Sequence, residues 1–114
     1  MITRYESNSR LSKVLVANGF VFLSGLTAKD RTGNVAEQTA DILAQIDAYL
    51  AMAGTNKSKI VVGNIWLKDV STFSQMNEAW EAWVDPEATP ARATVEARLA
   101  HDAILVEIQV QALV

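Results

Sequence analysis

The chain has 114 residues, of which half are hydrophobic and a fifth are charged. This length and composition predict one folded domain, residues 1–114, with its own apolar core. The absence of cysteine excludes disulfides, thiolate metal sites and a cysteine nucleophile, and one histidine, His101, cannot by itself form a zinc site. The net charge of −3 has the wrong sign for a protein that binds nucleic acid mainly through its phosphates.

The N-terminal residues MITRYESNSR lack the basic-then-apolar pattern of a signal peptide. No apolar run approaches the ~18 residues that a membrane-spanning helix needs. The sequence therefore predicts a soluble cytoplasmic protein that does not use a membrane as a partner.

Residues 14–16 and 20–23 are rich in β-branched and aromatic side chains, and the dipeptide Asn18-Gly19 separates them. An Asn-Gly pair between two such runs is typical of a tight β-hairpin. Residues 29–33 then indicate a polar loop.

A helix is predicted after this loop. Asn34 and Glu37 have the spacing of a capping pair, and Gly54 is a suitable stop. Between them the apolar residues recur at helical spacing on one face: Val35, Ile42, Leu43, Ile46 and Leu50. The largely apolar run 60–67, which follows Lys59, then predicts a largely buried strand.

A second helix is predicted from near Ser71 to the loop that Pro86 and Pro90 bracket. Its apolar stripe consists of Phe73, Met76, Trp80, Trp83 and Val84. Stripes of this kind usually pack into a core, so both tryptophans are interpreted as packing residues.

The last quarter of the chain predicts two strands, because polar and apolar residues alternate in it. In the first strand, one side carries Arg92, Thr94, Glu96 and Arg98, and the other carries Ala93, Val95, Ala97 and Leu99. After a turn at His101, the second strand has an apolar side with Ile104, Val106, Ile108 and Val110, opposite Glu107, Gln109 and Gln111. We expect the apolar side of each strand to face the helices.

The predicted order is strand-strand-helix-strand-helix-strand-strand. This order predicts an α+β domain with helices packed on one face of a mixed β-sheet. The other face would combine polar groups with Leu105 and Leu113, which indicates an oligomer interface with pockets in it.

Several ordered segments form one recognisable pattern that covers essentially the whole chain. The most specific is Pro90-Ala91-Arg92, followed fifteen residues after the arginine by Glu107. The others are Phe22-Leu23-Ser24-Gly25, Leu50-Ala51-Met52-Ala53-Gly54, Trp66-Leu67-Lys68-Asp69, Phe73 with Met76-Asn77, residues 93–96, and Val106-Glu107-Ile108. In this order the segments resemble the RidA/YjgF family of imine/enamine deaminases.

The resemblance implies a chorismate-mutase-like fold that assembles as a homotrimer with three clefts between neighbouring subunits. It also implies hydrolysis of reactive 2-imino or 2-enamino acids, which leak from pyridoxal-phosphate enzymes, to 2-oxo acids and ammonia. The partner would be this small-molecule substrate, and no cofactor of the protein's own is expected.

Such a substrate carries a carboxylate beside its C=N carbon, and the planar guanidinium of Arg92 suits that group because it can donate two parallel hydrogen bonds. Glu107 lies within an otherwise apolar strand and could act as the general base that activates water. Two structural alternatives remain open: a surface ion pair for Arg92, and a pairing of Glu107 with Arg92 or Arg98 across the interface.

The resemblance places four further residues in the substrate site. Thr94 stands where many relatives have a cysteine whose backbone amide helps to hold the ligand carboxylate. A threonine keeps that amide but lacks the reactivity of a thiol. Ser24 and Gly25 match the Ser-Gly step that passes close to the ligand, although an ordinary strand-ending turn would look the same. Asn77 matches an asparagine that helps to shape the cleft.

One departure from the family pattern lies near the N-terminus. Where well-studied relatives have a tyrosine that lines the cleft, this chain has Leu11-Ser12. The departure puts substrate range and efficiency in doubt and keeps a second hypothesis open, a non-catalytic trimer that binds 2-oxo or amino acids. Ribonuclease activity, attached to some relatives, is disfavoured by the acidic charge and the single histidine, and a metal-dependent hydrolase by the lack of a His/carboxylate cluster.

Overall fold

The computed structural model describes all residues, 1–114, and they form seven strands and two α-helices. The strands are β1 (Ile2–Ser7), β2 (Ser12–Ala17), β3 (Phe20–Leu23), β4 (Leu26–Thr27), β5 (Ile60–Leu67), β6 (Ala91–Glu96) and β7 (Val106–Leu113). The helices are α1 (Val35–Met52) and α2 (Phe73–Trp83), and short 3₁₀ turns precede β5 and α2.

All strands belong to one mixed sheet in the order β1-β2-β3-β7-β5-β6, with β4 also paired to β7. Only β5 and β6 run parallel to each other; the remaining pairs are antiparallel. Both helices cover one face of this sheet, which confirms the predicted α+β class. The molecule measures 41 × 37 × 20 Å, so it is a thin slab with one face of the sheet uncovered.

The predicted hairpin is confirmed as β2 and β3. Asn18 and Gly19 both have positive φ, 51° and 82°, the combination that a tight turn between twisted strands requires. The sequence did not predict β1, whose residues are almost all exposed at the edge of the sheet. A strand with water on both faces has no burial to impose an alternating pattern.

The first predicted helix is confirmed together with both of its ends. Asn34 and Glu37 form a reciprocal capping box, with Asn34 accepting from the Glu37 amide at 2.9 Å and Glu37 accepting from the Asn34 amide at 3.0 Å. At the other end Gly54 has φ +79°, and the amides of Gly54 and Thr55 donate to Ala51 and Leu50, as in a Schellman motif.

The core lies between the helices and the sheet and contains eighteen buried apolar residues. All five residues of the predicted α1 stripe are buried, and so are Met76 and Trp80 of α2. The prediction that Phe73 is a core residue was wrong, because 39% of its surface is exposed. Trp83 is only partly buried, and its indole N–H donates to Asp47 at 2.9 Å.

The prediction for the two faces of β6 was wrong. In the register of the sheet Arg92 lies beside Gly63 of β5, which lies beside Val110 of β7, so these three residues share one face. That face is covered by the helices, since the Arg92 guanidinium contacts Met76 of α2. The apolar residues Ala93 and Val95 therefore point away from the helices, and Val95 is 52% exposed.

Candidate functional site

The candidate site residues fall into two groups on opposite faces of the sheet. Arg92 and Thr94 lie on the helix-covered face, whereas Glu107 lies on the uncovered face, because it stands an odd number of residues from Val110 along β7. A single chain therefore does not bring Arg92 and Glu107 into one pocket. None of its four open surface depressions is lined by either residue.

Arg92 is half-buried and rests against α2. Its Nη1 lies 3.9 Å from the Met76 sulfur, a weak acceptor, and its guanidinium carbon lies 5.2 Å from the centre of the Trp80 ring. Burial lowers the pKa of the guanidinium, and the Glu81 carboxylate acts in the opposite direction. Because the ordinary pKa of an arginine lies far above neutral pH, the group stays charged at neutral pH. A charged group with five donors and only a thioether acceptor is suited to bind an external anion.

Thr94 and Asn77 lie on the two elements that hold this arginine. Thr94 lies two residues further along β6 on the same face, and its hydroxyl oxygen is buried without a hydrogen-bond partner. Asn77 is partly buried on α2, one helical turn after Phe73. Thr94 therefore shares the helix-covered face with Arg92, and Asn77 belongs to the helix that packs on that face.

Glu107 is partly buried as the second residue of β7, between Thr27 of β4 and Trp66 of β5. Its carboxylate lies directly over Gly25, where a Cβ would overlap Oε2. The absence of a side chain at Gly25 thus leaves room for the Glu107 carboxylate in this position, and the structure brings these two predicted residues together.

Ser24 and Leu11 lie at the ends of neighbouring N-terminal strands, Ser24 directly after β3 and Leu11 directly before β2. The Ser24 hydroxyl donates to the Ser12 carbonyl at 2.6 Å, so it ties β3 to β2 and is already engaged. Leu11 is 42% exposed in the connection between β1 and β2, beside Ser12. His101 accepts from the Ala103 amide at 3.0 Å within its turn, as expected of a turn residue.

The contact of Gly25 with Glu107 gives a prediction. Replacing Gly25 by alanine forces the carboxylate to move, and we expect imine hydrolysis to fall about tenfold, since a displacement of about 1 Å in a catalytic group can cost up to a hundredfold. Thermal unfolding should show that the variant remains folded.

The control for this prediction is a double-mutant cycle with Glu107→Gln. If Gly25 acts only through the carboxylate, Gly25→Ala should slow the Glu107→Gln protein no further. A full additional tenfold loss in the double variant would contradict the prediction.

Sequence reasoning missed the aromatic residues around Arg92. Phe73 and Trp80 were interpreted as core, yet both rings lie within 6 Å of the guanidinium, at 5.7 and 5.2 Å. One signal was available: Gly63 interrupts an otherwise apolar strand, and an isolated glycine in a strand often marks a close approach of another group.

No helix of the structure has both the length and the apolar character needed to cross a membrane. No three residues among histidine, aspartate and glutamate are grouped so that they could hold a metal ion.

The family model described as Endoribonuclease L-PSP matches residues 1–114. A RutC family protein from Haemophilus ducreyi is 38% identical over 112 residues, covering 98% of this chain and 96% of the relative. The RutC family protein YoaB from Escherichia coli is 40% identical over 113 residues, covering 99% and 98% of the two chains.

Among solved structures, a YjgF protein family member from Neisseria meningitidis superposes with a TM-score of 0.96 at 43% identity, covering 99% of this chain and 94% of the other. A YjgF/YER057c/UK114 family member from Mycobacterium tuberculosis superposes with a TM-score of 0.90 at 26% identity, covering the whole of both chains. The matched family model, the curated relatives and the shared fold all cover the chain nearly end to end, and the chain therefore belongs to the RidA/YjgF family, as its sequence motifs indicated.

Proposed function

We propose that the protein hydrolyses reactive 2-imino or 2-enamino acids to 2-oxo acids and ammonia, with Arg92 binding the substrate carboxylate and Glu107 activating water. The observation that carries this proposal is the state of Arg92. It is a half-buried cation whose hydrogen-bonding groups reach only the Met76 sulfur. A carboxylate would supply the strong acceptors that the guanidinium lacks.

The proposed reaction starts with water. The substrate reacts as its protonated imine. Glu107 takes one proton from the water as the water oxygen attacks the imine carbon, and the C=N electron pair moves to nitrogen, which becomes a neutral amine. Glu107 then passes that proton to the amine, and the C–N bond breaks with its electron pair on nitrogen. The hydroxyl proton is taken up by the departing ammonia as the carbonyl of the 2-oxo acid forms. Arg92 holds the neighbouring carboxylate throughout, so that the attacked carbon stays in line with the water.

The separation of Arg92 and Glu107 supports a site shared between subunits. Because the two side chains lie on opposite faces of one sheet, they can meet on a substrate only if one chain provides the arginine and a neighbour provides the carboxylate. The uncovered face also carries exposed apolar residues, with Phe20 38%, Leu113 43% and Val95 52% exposed. Such residues favour burial against another copy, and a homotrimer closes this arrangement into three equal clefts.

A coupled assay tests the proposed function. An amino-acid oxidase or a threonine dehydratase generates the imine in solution, and its decay is followed with and without the protein. We expect faster decay in the presence of the protein. No acceleration across imines from several amino acids would contradict the deaminase proposal.

The alternative is a binding protein of the same fold, which the Leu11-Ser12 departure favours. This alternative predicts that 2-oxo acids bind at Arg92, while the imine decays at its uncatalysed rate in the presence of the protein. An endoribonuclease activity, as the name of the family model states, has less support here, because the net charge is −3 and the one histidine is engaged in a turn.

A further inference from the structure

The Arg92 guanidinium is packed between two aromatic rings of α2. Its central carbon lies 5.2 Å from the ring centre of Trp80 and 5.7 Å from that of Phe73, and both distances are within the range of cation–π attraction. Phe73 and Trp80 are seven residues apart, which is two helical turns, so the two rings lie on the same side of α2.

Gly63 provides the space in which this packing occurs. It lies directly beside Arg92 in the sheet, and a Cβ added to it would be 3.3 Å from Cη2 of Trp80 and 3.9 Å from Cγ of Arg92. The absence of a side chain at Gly63 therefore lets the Trp80 ring pack closely on β5, directly beside Arg92 on β6. Trp80 is only 5% exposed, so its ring is held by the core.

We propose that Trp80 and Phe73 are positioning residues that hold the plane of the Arg92 guanidinium ready for a carboxylate. An unrestrained arginine loses much of its rotamer freedom when it binds a ligand bidentately, whereas an arginine already held by two rings loses less. This inference rests on the proposed function of Arg92, because it assigns a role in the same site.

The test uses the full-length protein and 2-oxobutanoate, followed by NMR of the arginine side chains. The Nε–H signal of Arg92 is identified by its absence in Arg92→Ala, and ring currents should move it away from the signals of exposed arginines. In Trp80→Leu and in Phe73→Leu we expect this signal to move toward those of the exposed arginines. The Kd for 2-oxobutanoate should rise about tenfold in Trp80→Leu and about threefold in Phe73→Leu, in line with one partly desolvated cation–π contact each.

Two further variants make the result specific. Trp80→Phe keeps an aromatic ring and should retain a Kd within about threefold of the parent. Trp83 packs against Trp80, with ring centres 5.5 Å apart, so Trp83→Phe keeps an aromatic ring at that contact while it changes a side chain that does not touch the guanidinium. It should leave both the signal and the Kd unchanged. Phe73→Leu also guards against misfolding, because Phe73 is 39% exposed and adds little to the core.

Two different outcomes distinguish a failure of the positioning role from a failure of the proposed carboxylate binding. An unchanged Arg92 signal and Kd in both Trp80→Leu and Phe73→Leu would overturn the positioning role. If 2-oxobutanoate leaves the Arg92 signal of the parent protein unmoved, carboxylate binding fails, and the positioning role fails with it.

Discussion

Replacing Arg92 by alanine is expected to slow imine hydrolysis by about 10²- to 10³-fold, because it removes a charged, bidentate contact to the substrate carboxylate. Most of the loss should appear as weaker binding of 2-oxobutanoate. The fold should survive, since Arg92 is half-buried on an edge strand and is not among the eighteen core residues.

The matched control is Arg4→Ala, which removes an exposed arginine from β1, the other edge strand of the sheet. It should leave hydrolysis at the parent rate. Thermal unfolding and size-exclusion chromatography of both variants would show whether the fold and assembly are intact. Parent-like activity in a folded Arg92→Ala protein would remove the carboxylate contact from the mechanism.

Replacing Glu107 by glutamine should reduce the rate of hydrolysis by about 10²- to 10⁴-fold, which is the usual contribution of a general base. Glutamine has nearly the same shape, so it should still fit over Gly25, and binding of 2-oxobutanoate should change little. The loss should therefore lie in kcat, whereas that of Arg92→Ala lies mainly in KM.

Glu78→Gln provides the control for this change, because Glu78 is an exposed carboxylate on α2. It should have the parent rate. A Glu107→Gln protein as fast as the parent would show that water is activated by another group.

Mixing the two inactive variants tests whether the site is shared. If each cleft takes Arg92 from one subunit and Glu107 from its neighbour, refolding Arg92→Ala and Glu107→Gln together in equal amounts restores about a quarter of the clefts in a cyclic trimer. Refolding Arg92→Ala with the double variant restores none. Absence of recovery, with mass spectrometry showing mixed trimers, would contradict a cleft built from two chains.

Local features of the fold could be predicted from the sequence because each depends on residues close together in the chain. The turn at Asn18-Gly19 and the capping box of Asn34 and Glu37 follow from backbone geometry and from the donors that a helix start leaves free. The face of α1 that is buried follows from spacing alone. These features did not require knowledge of any neighbour.

The two faces of β6 could not be predicted in the same way. Alternation shows which residues share a side, but it does not show which side meets the helices. Arg92 lies on the covered side because its apolar stem and planar head pack on Trp80 and Phe73, which are twelve or more residues away in the chain. For the same reason, the sequence could not show that Arg92 and Glu107 lie on opposite faces of one chain's sheet, which the strand register shows.

The position of β7 determines when a growing chain can complete its β-sheet. This strand follows all the others in sequence, yet it lies between β3 and β5 at the centre of the sheet. A nascent chain that has not yet exposed residues 106–113 to solution holds an N-terminal meander of strands and a separate β5–β6 pair, with nothing to join them. The complete sheet and the proposed catalytic carboxylate of Glu107 therefore form together, and a nascent chain without β7 exposes unpaired strand edges that favour aggregation.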